Sequence, residues 1–369
     1  MKVRNMNIKS LILGSAAALV ACGSAQAADL PVAEPVDYVK VCDAYGAGYF
    51  FIPGTDTCLK IGGKVLFGVS SEGFGNDAGL DRADDLVNFY TETTFSFTAR
   101  EETELGTLTA HMEFDDASDT TTAGGTVGNG AAIDKAYIML GGFYAGLTDS
   151  LLDFNAGLGY DDYGFGFGDL NTIGYKADMG NGVTAAIALE EFNNNEAGAG
   201  TSMPAVTASL SVAQGWGSLV VGAGVHQVRY TNSATSTDFG FAVGGEGTFN
   251  IAEGLTFGLA GGYGTRISNL AAGIAAGSLA KEWLASAGLA YAFADNMTLS
   301  LDAGYKSVND FGTTGDFKGW GTSLMLEYVP VKNLSVTGKV GYQKMDYHAS
   351  SATADWDDVA AKIEIERTF

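Results

Sequence analysis

The charged side chains in the segment from Asp149 to Leu170 are all of one sign. It contains five carboxylates and no basic residue; they are Asp149, Asp153, Asp161, Asp162 and Asp169. Within this segment, the run 159–168 is rich in glycine and aromatic residues, and glycine allows the backbone to bend along a surface. Carboxylates without a counter-charge attract cations. The segment is therefore a candidate for selecting ions or polar solutes, and an ordinary solvated loop is the simpler alternative.

Cys42 and Cys58 form a second chemical candidate. An even pair of thiols in an exported protein is typically a disulfide. A loop of this length would then stabilise the fold by about 3 kcal/mol in the chain-entropy model. A metal site is the rival interpretation, but no histidine lies near and two thiolates make a poor zinc site. We expect the structural disulfide.

Residues that could support other chemistry are scattered. His111, His226 and His348 form neither a metal cluster nor an obvious catalytic triad. The run 164–168 lacks the Lys-Ser/Thr pair that follows a phosphate loop. The acidic pairs Asp115–Asp116 and Glu190–Glu191 are candidates for weak binding of divalent ions, but such pairs are more often solvated loop ends. We expect no cofactor, no metal and no enzymatic activity, and we keep a lipid hydrolase and a structural or adhesive envelope protein as alternatives.

Alternation of apolar and polar residues marks the elements that must position these groups. In the last segment, 357–369, apolar residues such as Ile363 and Ile365 alternate with polar ones, and the chain ends on Phe369. This period of two gives a strand with one apolar and one polar face. We count sixteen such segments, beginning near 59–70.

The connections between these segments alternate between tight turns and long polar loops, such as the turn 180–182 and the loop 192–203. Aromatic residues cluster near segment ends, and the polar face is rich in Gly, Ser and Thr. This layout is typical of an all-β, 16-stranded antiparallel transmembrane β-barrel with a wet interior. A soluble β-sandwich or solenoid also alternates, but a sandwich usually has fewer strands and more outward charges.

The N-terminus has the pattern of an export signal. Basic residues within 2–9 precede a short apolar core at 11–21 and a small-residue site ending at Ala27. We expect 1–27 to be a cleaved signal peptide. The alternative is a lipoprotein signal in which Cys22 becomes acylated. Removal of the leader takes away three of the 20 basic residues and none of the 43 acidic ones, so the net charge falls from −23 to −26. Such an acidic chain is not expected to bind nucleic acid.

The block Val41 to Leu59, with its two cysteines, closely resembles the N-terminal signature of the Porin 2 family, the alphaproteobacterial general-diffusion porins. The leader, the stretch Lys135 to Phe154 and the terminal Arg367-Thr368-Phe369 are similar to that family too. The resemblance implies a homotrimer in the bacterial outer membrane, in contact with its lipid, that passes small hydrophilic solutes and ions. It divides the mature chain, 28–369, into an N-terminal periplasmic-side segment, 28–58, and barrel strands, 59–369.

The resemblance further implies that 149–170 folds into the pore as a constriction loop. Alternation places charged residues on the lumen wall around it; they include Lys64, Arg100, His111, Glu113, Lys306 and Lys339. When the constriction loop and the wall are counted together, acidic residues outnumber basic ones. This predicts a weak preference for cations. The chain departs from the family on the strand after Leu105–Leu108, where Thr109, His111 and Glu113 replace the usual arginines. It also departs in having Cys22 in its leader.

Overall fold

The computed structural model describes residues 40–71, 73, 86–122, 125–128, 130–154, 165–192, 200–229, 237–266, 280–309, 316–348 and 354–369. Val41–Phe369 forms one compact unit. The expected signal peptide, with both of its processing sites, lies outside the described residues. Among those residues, no helix has the length and apolar composition needed to cross a membrane.

The described residues form one short 3-10 helix and eighteen strands. The helix is η1 (Asp43–Tyr45), and the strands are β1 (Tyr49–Phe51), β2 (Cys58–Ser71), β3 (Val87–Thr103), β4 (Gly106–Thr122), β5 (Gly125–Gly128), β6 (Ala132–Leu140), β7 (Phe143–Asp149), β8 (Asp169–Gly180), β9 (Val183–Glu190), β10 (Ala205–Gln214), β11 (Gly217–Val228), β12 (Asp238–Ala252), β13 (Leu255–Thr265), β14 (Lys281–Ala294), β15 (Met297–Asn309), β16 (Phe317–Val331), β17 (Leu334–Tyr347) and β18 (Trp356–Thr368).

Sixteen of these strands close into an antiparallel barrel. Strands β2 to β4 and β6 to β18 each pair with the next, and β18 returns to β2, with Ile363 opposite Val69 and Thr368 opposite Lys64. The terminal Phe369 continues this ladder, because its N–H donates to the Gly63 carbonyl at 3.0 Å. The short β1 and β5 are additions to β2 and β4. The predicted strand number and the closure through the last strand are confirmed.

One rim of the barrel carries seven two-residue turns, all within the described part of the chain. Asn181 and Asn333 sit in two of them with φ of 53° and 64°, a conformation that asparagine tolerates better than most residues. Both ends of the sixteen-strand run lie at this rim, and the longer connections lie at the other. The predicted alternation of tight turns and long loops is confirmed.

The two faces of the barrel differ sharply in polarity. The outer face is apolar, and its members are well exposed in the single chain, as with Val340 at 53%. Aromatic pairs flank this band near both rims, with ring centroids 5.0 Å apart for Trp283 and Tyr305 and 5.6 Å for Trp216 and Phe249. An apolar band between aromatic girdles is the lipid-facing surface of a membrane barrel.

The N-terminal segment is fastened to the barrel at the rim with the tight turns. Cys42 and Cys58 form a disulfide with a Cα–Cα distance of 6.0 Å, and both cysteines are buried. The guanidinium of Arg100 lies 5.6 Å from the ring centroid of Tyr49 and 5.9 Å from that of Tyr45. The predicted disulfide is confirmed.

Candidate functional site

The segment between β7 and β8 is described at its two limbs, Ser150–Phe154 and Phe165–Gly168. Phe154 and Phe165 exchange both backbone hydrogen bonds, at 2.6 and 2.7 Å. The N–H of Ser150 donates to the Gly168 carbonyl at 3.0 Å. These bonds hold the two limbs side by side as one unit, which we call the inner segment.

Glu190, at the end of β9, holds the base of the inner segment. Its carboxylate accepts the Ser150 hydroxyl at 2.7 Å and the Leu151 N–H at 2.8 Å, and its side chain is fully buried. The Ser150 hydroxyl oxygen in turn accepts the Leu152 N–H at 3.1 Å. The interpretation of Glu190–Glu191 as a solvated pair is therefore wrong for Glu190, because the inner segment folds over it and removes it from water.

The far end of the inner segment packs against the inner wall. Phe154 and Phe165 are buried, with their rings stacked at an interplanar angle of 14°. They belong to an apolar cluster with Leu152 and with Ala242 and Leu284 of the wall. The segment therefore reaches from β7 to the inner face of β12 and β14.

The returning limb has its own aromatic contact. Phe167 lies 4.4 Å, centroid to centroid, from Phe192, which lies 4.7 Å from His226. The Nε2 atom of His226 is 2.9 Å from the Arg266 carbonyl oxygen. His226 is thus a buried packing residue of this limb.

The predicted constriction carboxylates meet a lysine that sequence reasoning missed. The ammonium of Lys135 on β6 lies 2.7 Å from Asp149 Oδ1. Asp169 is directly opposite Asp149 across the β7–β8 ladder. The two aspartates at the base of the inner segment therefore share one positive neighbour. Alternation along β6 could have predicted that Lys135 faces inward. It lies on the same face of the strand as Tyr137 and on the opposite face from the exposed Ile138.

Asp153 lies further along the inner segment and is without an ion pair among the described residues. Burial, together with the nearby charge of Asp149, raises the pKa of the Asp153 carboxyl. Asp161 and Asp162 lie outside the described residues, so their place as constriction residues stays a prediction.

The predicted wall residues take the inner-facing parity of their strands. Lys64 Nζ lies 3.8 Å from Glu366 Oε2. His111 Nδ1 lies 2.9 Å from the Thr98 hydroxyl, and its Nε2 lies 3.6 Å from Glu113 Oε2. Arg100 faces the N-terminal tyrosines.

Lys306 and Lys339 point inward from β15 and β17, and Lys339 is directly opposite Lys362 on β18. Lys362 was not among the predicted wall residues. Its ammonium lies 2.9 Å from Glu364 Oε1, which also accepts the Tyr90 hydroxyl at 2.6 Å. This wall is a mixture of paired charges rather than a field of one sign.

One group in the described part of the chain has carboxylate spacing suited to a cation. Oxygen atoms of Glu113, Asp115 and Asp134 lie within 4.8 Å of one another. All three side chains are partly open to solvent, and wetted acidic clusters of this kind are common without an ion. We assign them no metal.

Comparison with known proteins decides the family. A family profile described as "Porin subfamily" matches residues 29–366, nearly the whole chain. The chain belongs to this porin family. Porin Omp2b of Brucella suis and that of Brucella abortus are each 35% identical to this porin over 395 residues, covering 99% of this chain and 100% of the relative.

Solved structures share the fold at lower identity. The outer membrane channel DcaP of Acinetobacter baumannii superposes with a TM-score of 0.72 at 16% identity, covering 86% of this chain and 99% of that one. An anion-selective porin from Comamonas acidovorans gives 0.57 at 12% identity, with coverage of 85% and 100%. The porin is a non-enzymatic outer-membrane channel for passive diffusion. The resemblance inferred from the Val41–Leu59 block is confirmed.

Proposed function

We propose that the porin passes small hydrophilic solutes and ions with a weak preference for cations, and that the segment 149–170 is its constriction. The observation that carries this proposal is the packing of Phe154 and Phe165 on the inner wall. A barrel of sixteen strands leaves an aqueous channel, so a segment that crosses its interior must narrow it.

The charges near the inner segment support the sign of the preference. Asp153 lies on one limb, and Asp149 and Asp169 lie at the base, where Lys135 is the ion-pair partner of Asp149. The chain as a whole has a net charge of −23. Carboxylates lining a pore raise the local cation concentration. The Comamonas acidovorans porin shares the fold and is anion-selective, so the barrel alone does not set selectivity and these side chains must set its sign.

A reversal potential measured across planar bilayers in a salt gradient tests the proposal. For the unmodified porin, we expect a reversal potential with the sign that indicates cation selectivity. The triple variant Asp149→Asn, Asp153→Asn, Asp169→Asn should shift it toward anions, because it removes three carboxylates, one of them the ion-pair partner of Lys135.

The matched control neutralises three acidic residues of the tight turns, Glu104→Gln, Glu253→Gln and Asp295→Asn, which should leave the reversal potential close to that of the unmodified porin. An anion-selective unmodified porin, or equal shifts in the two triple variants, would contradict the proposal.

The raised pKa of Asp153 gives the selectivity a pH dependence. A carboxyl with a raised pKa takes up its proton at a higher pH than an ordinary aspartate. As the pH falls, cation preference should therefore begin to decline above the pH at which carboxyls of ordinary pKa titrate. Asp153→Asn should reduce this early decline and keep the later one. An unchanged titration curve of the reversal potential in that variant would show that Asp153 does not face the permeating ions.

We also propose a homotrimer and cleavage after Ala27. The trimer is supported by the family and by the trimer form of Vibrio cholerae OmpT. That structure shares the fold with a TM-score of 0.51 at 10% identity, covering 85% of this chain and 100% of that one. The intact mass of protein from outer membranes tests the processing. A chain starting at Ala28 supports cleavage, whereas a chain starting at an acylated Cys22 would establish the lipoprotein route. Mass measurement of the native particle tests the trimer.

A further inference from the structure

A row of glycines crosses the inner wall where the inner segment lands. Gly222 on β11 is directly opposite Gly244 on β12, and Gly244 is directly opposite Gly262 on β13. Their neighbours on the outer face include the large, exposed Val221, Val243 and Tyr263 beside the small Ala223, Gly245 and Gly261. The inner wall therefore has three positions without a side chain, one on each of three adjacent strands.

The rings of the inner segment occupy the space that these side chains would fill. A Cβ atom on Gly262 would overlap the ring of Phe165. One on Gly244 would lie 2.9 Å from Phe154 Cδ2 and 3.0 Å from Phe165 Cδ1, and one on Gly222 would lie 3.0 Å from Phe154 Cζ. All three distances are closer than a methyl group can approach a ring without displacing it.

The deep burial of the two phenylalanine rings indicates that their contact with the glycines is specific. Phe154 and Phe165 are almost completely removed from solvent, although they belong to a connection between strands in a barrel with a wet interior. The paired backbone bonds between them fix both rings against the wall together. Glycines needed only for strand curvature would not require two aromatic rings seated on them.

We propose that Gly222, Gly244 and Gly262 form a seat that fixes the far end of the inner segment, and that Phe154 and Phe165 are the positioning residues held in it. This inference rests on the proposed constriction only for its effect on conductance. The seat itself is a statement about where the segment is held, and it is tested separately.

The test uses Gly262→Ala, which adds one methyl group to the seat. The matched control is Gly338→Ala on β17, where a Cβ atom meets nothing within 4 Å. The reporter of position is Leu152→Cys, which places a thiol at a fully buried position on the inner segment. Labelling by a water-soluble maleimide should be about tenfold faster with Gly262→Ala, as forcing a methyl group into a filled site displaces its occupant. The control should label at the rate of the reporter alone.

A second variant guards against a folding defect in the first. Phe165→Ala removes one of the two rings from the seat without crowding it, and should also speed labelling. Adding Gly262→Ala to Phe165→Ala should give little further increase, because both changes act on one contact. The folded barrel is checked in each variant by its gel mobility with and without heating.

The two proposals fail in different ways. Unchanged labelling in both variants would overturn the seat, whatever happens to the conductance, and fully additive effects would overturn the pairing of Phe165 with Gly262. Faster labelling with a higher single-channel conductance supports seat and constriction together. Faster labelling with unchanged conductance supports the seat and contradicts the constriction.

Discussion

Replacing Glu190 with leucine should release the base of the inner segment and raise the single-channel conductance of the porin. The carboxylate is the acceptor for both the Ser150 hydroxyl and the Leu151 N–H. Leucine fills much of the same volume but accepts neither donor. Each buried donor left without a partner costs roughly 1–3 kcal/mol, so the two together cost roughly 2–6 kcal/mol.

The barrel should escape most of this cost by local opening. The inner segment borders a water-filled interior, so displacing its base lets solvent hydrate both donors. The sixteen-strand ladder does not depend on these bonds. We therefore expect the conductance and the open-channel noise to rise, with fast hydrogen exchange at the Leu151 amide, while the unfolding temperature of the barrel changes little.

Two further variants test whether the effect comes from loss of the buried acceptor. Glu190→Gln keeps one acceptor oxygen and should give an intermediate conductance. Glu191→Leu is the matched control, because its carboxylate is exposed and contacts only the Asn171 amide, at 3.0 Å, among the described side chains. A Glu191→Leu channel as altered as the Glu190→Leu channel would show that loss of acidic charge, and not loss of the buried acceptor, causes the effect.

The barrel could be predicted from sequence because its signal is local and repeated. Alternation along 357–369 fixes which side chains of β18 face outward, and the same pattern recurs in every long strand. The asparagine and glycine turns fix where the chain reverses. Neither inference requires knowing which strand lies beside which, and the need to leave no open edge in a membrane supplies the closure.

The site was less predictable because its contacts join distant parts of the chain. Glu190 and Glu191 have the same side chain, and only the fold of a segment 40 residues earlier buries the first of them. Lys135 likewise neutralises Asp149 through the pairing of β6 with β7. The glycine seat did leave a signal, since Gly222, Gly244 and Gly262 all have the inner parity of their strands. Recognising these positions as a patch of the inner wall without side chains required knowing that the three glycines lie directly opposite one another on adjacent strands.

Arginine at Val340 should reduce the free energy of unfolding by roughly 2–4 kcal/mol, the cost of a basic side chain near the bilayer midplane on the outer face of a membrane barrel. Val340 lies at the middle of β17 and is 53% exposed in the single chain. Acyl chains or a neighbouring subunit must cover it, and neither can solvate a guanidinium. The measurement is denaturant unfolding of the porin in lipid vesicles.

Thr337→Arg is the matched control for Val340→Arg, because Thr337 lies three residues away on the same strand but faces inward, opposite Glu364. The interior is wet and a carboxylate is near, so arginine there should cost much less than at Val340. The two variants place the same side chain on opposite faces of one strand, so the difference between their losses of stability measures the contrast between the lipid-facing and the aqueous side. Equal losses of stability in the two variants would mean that β17 does not separate lipid from water, and the orientation of the whole barrel wall would then be wrong.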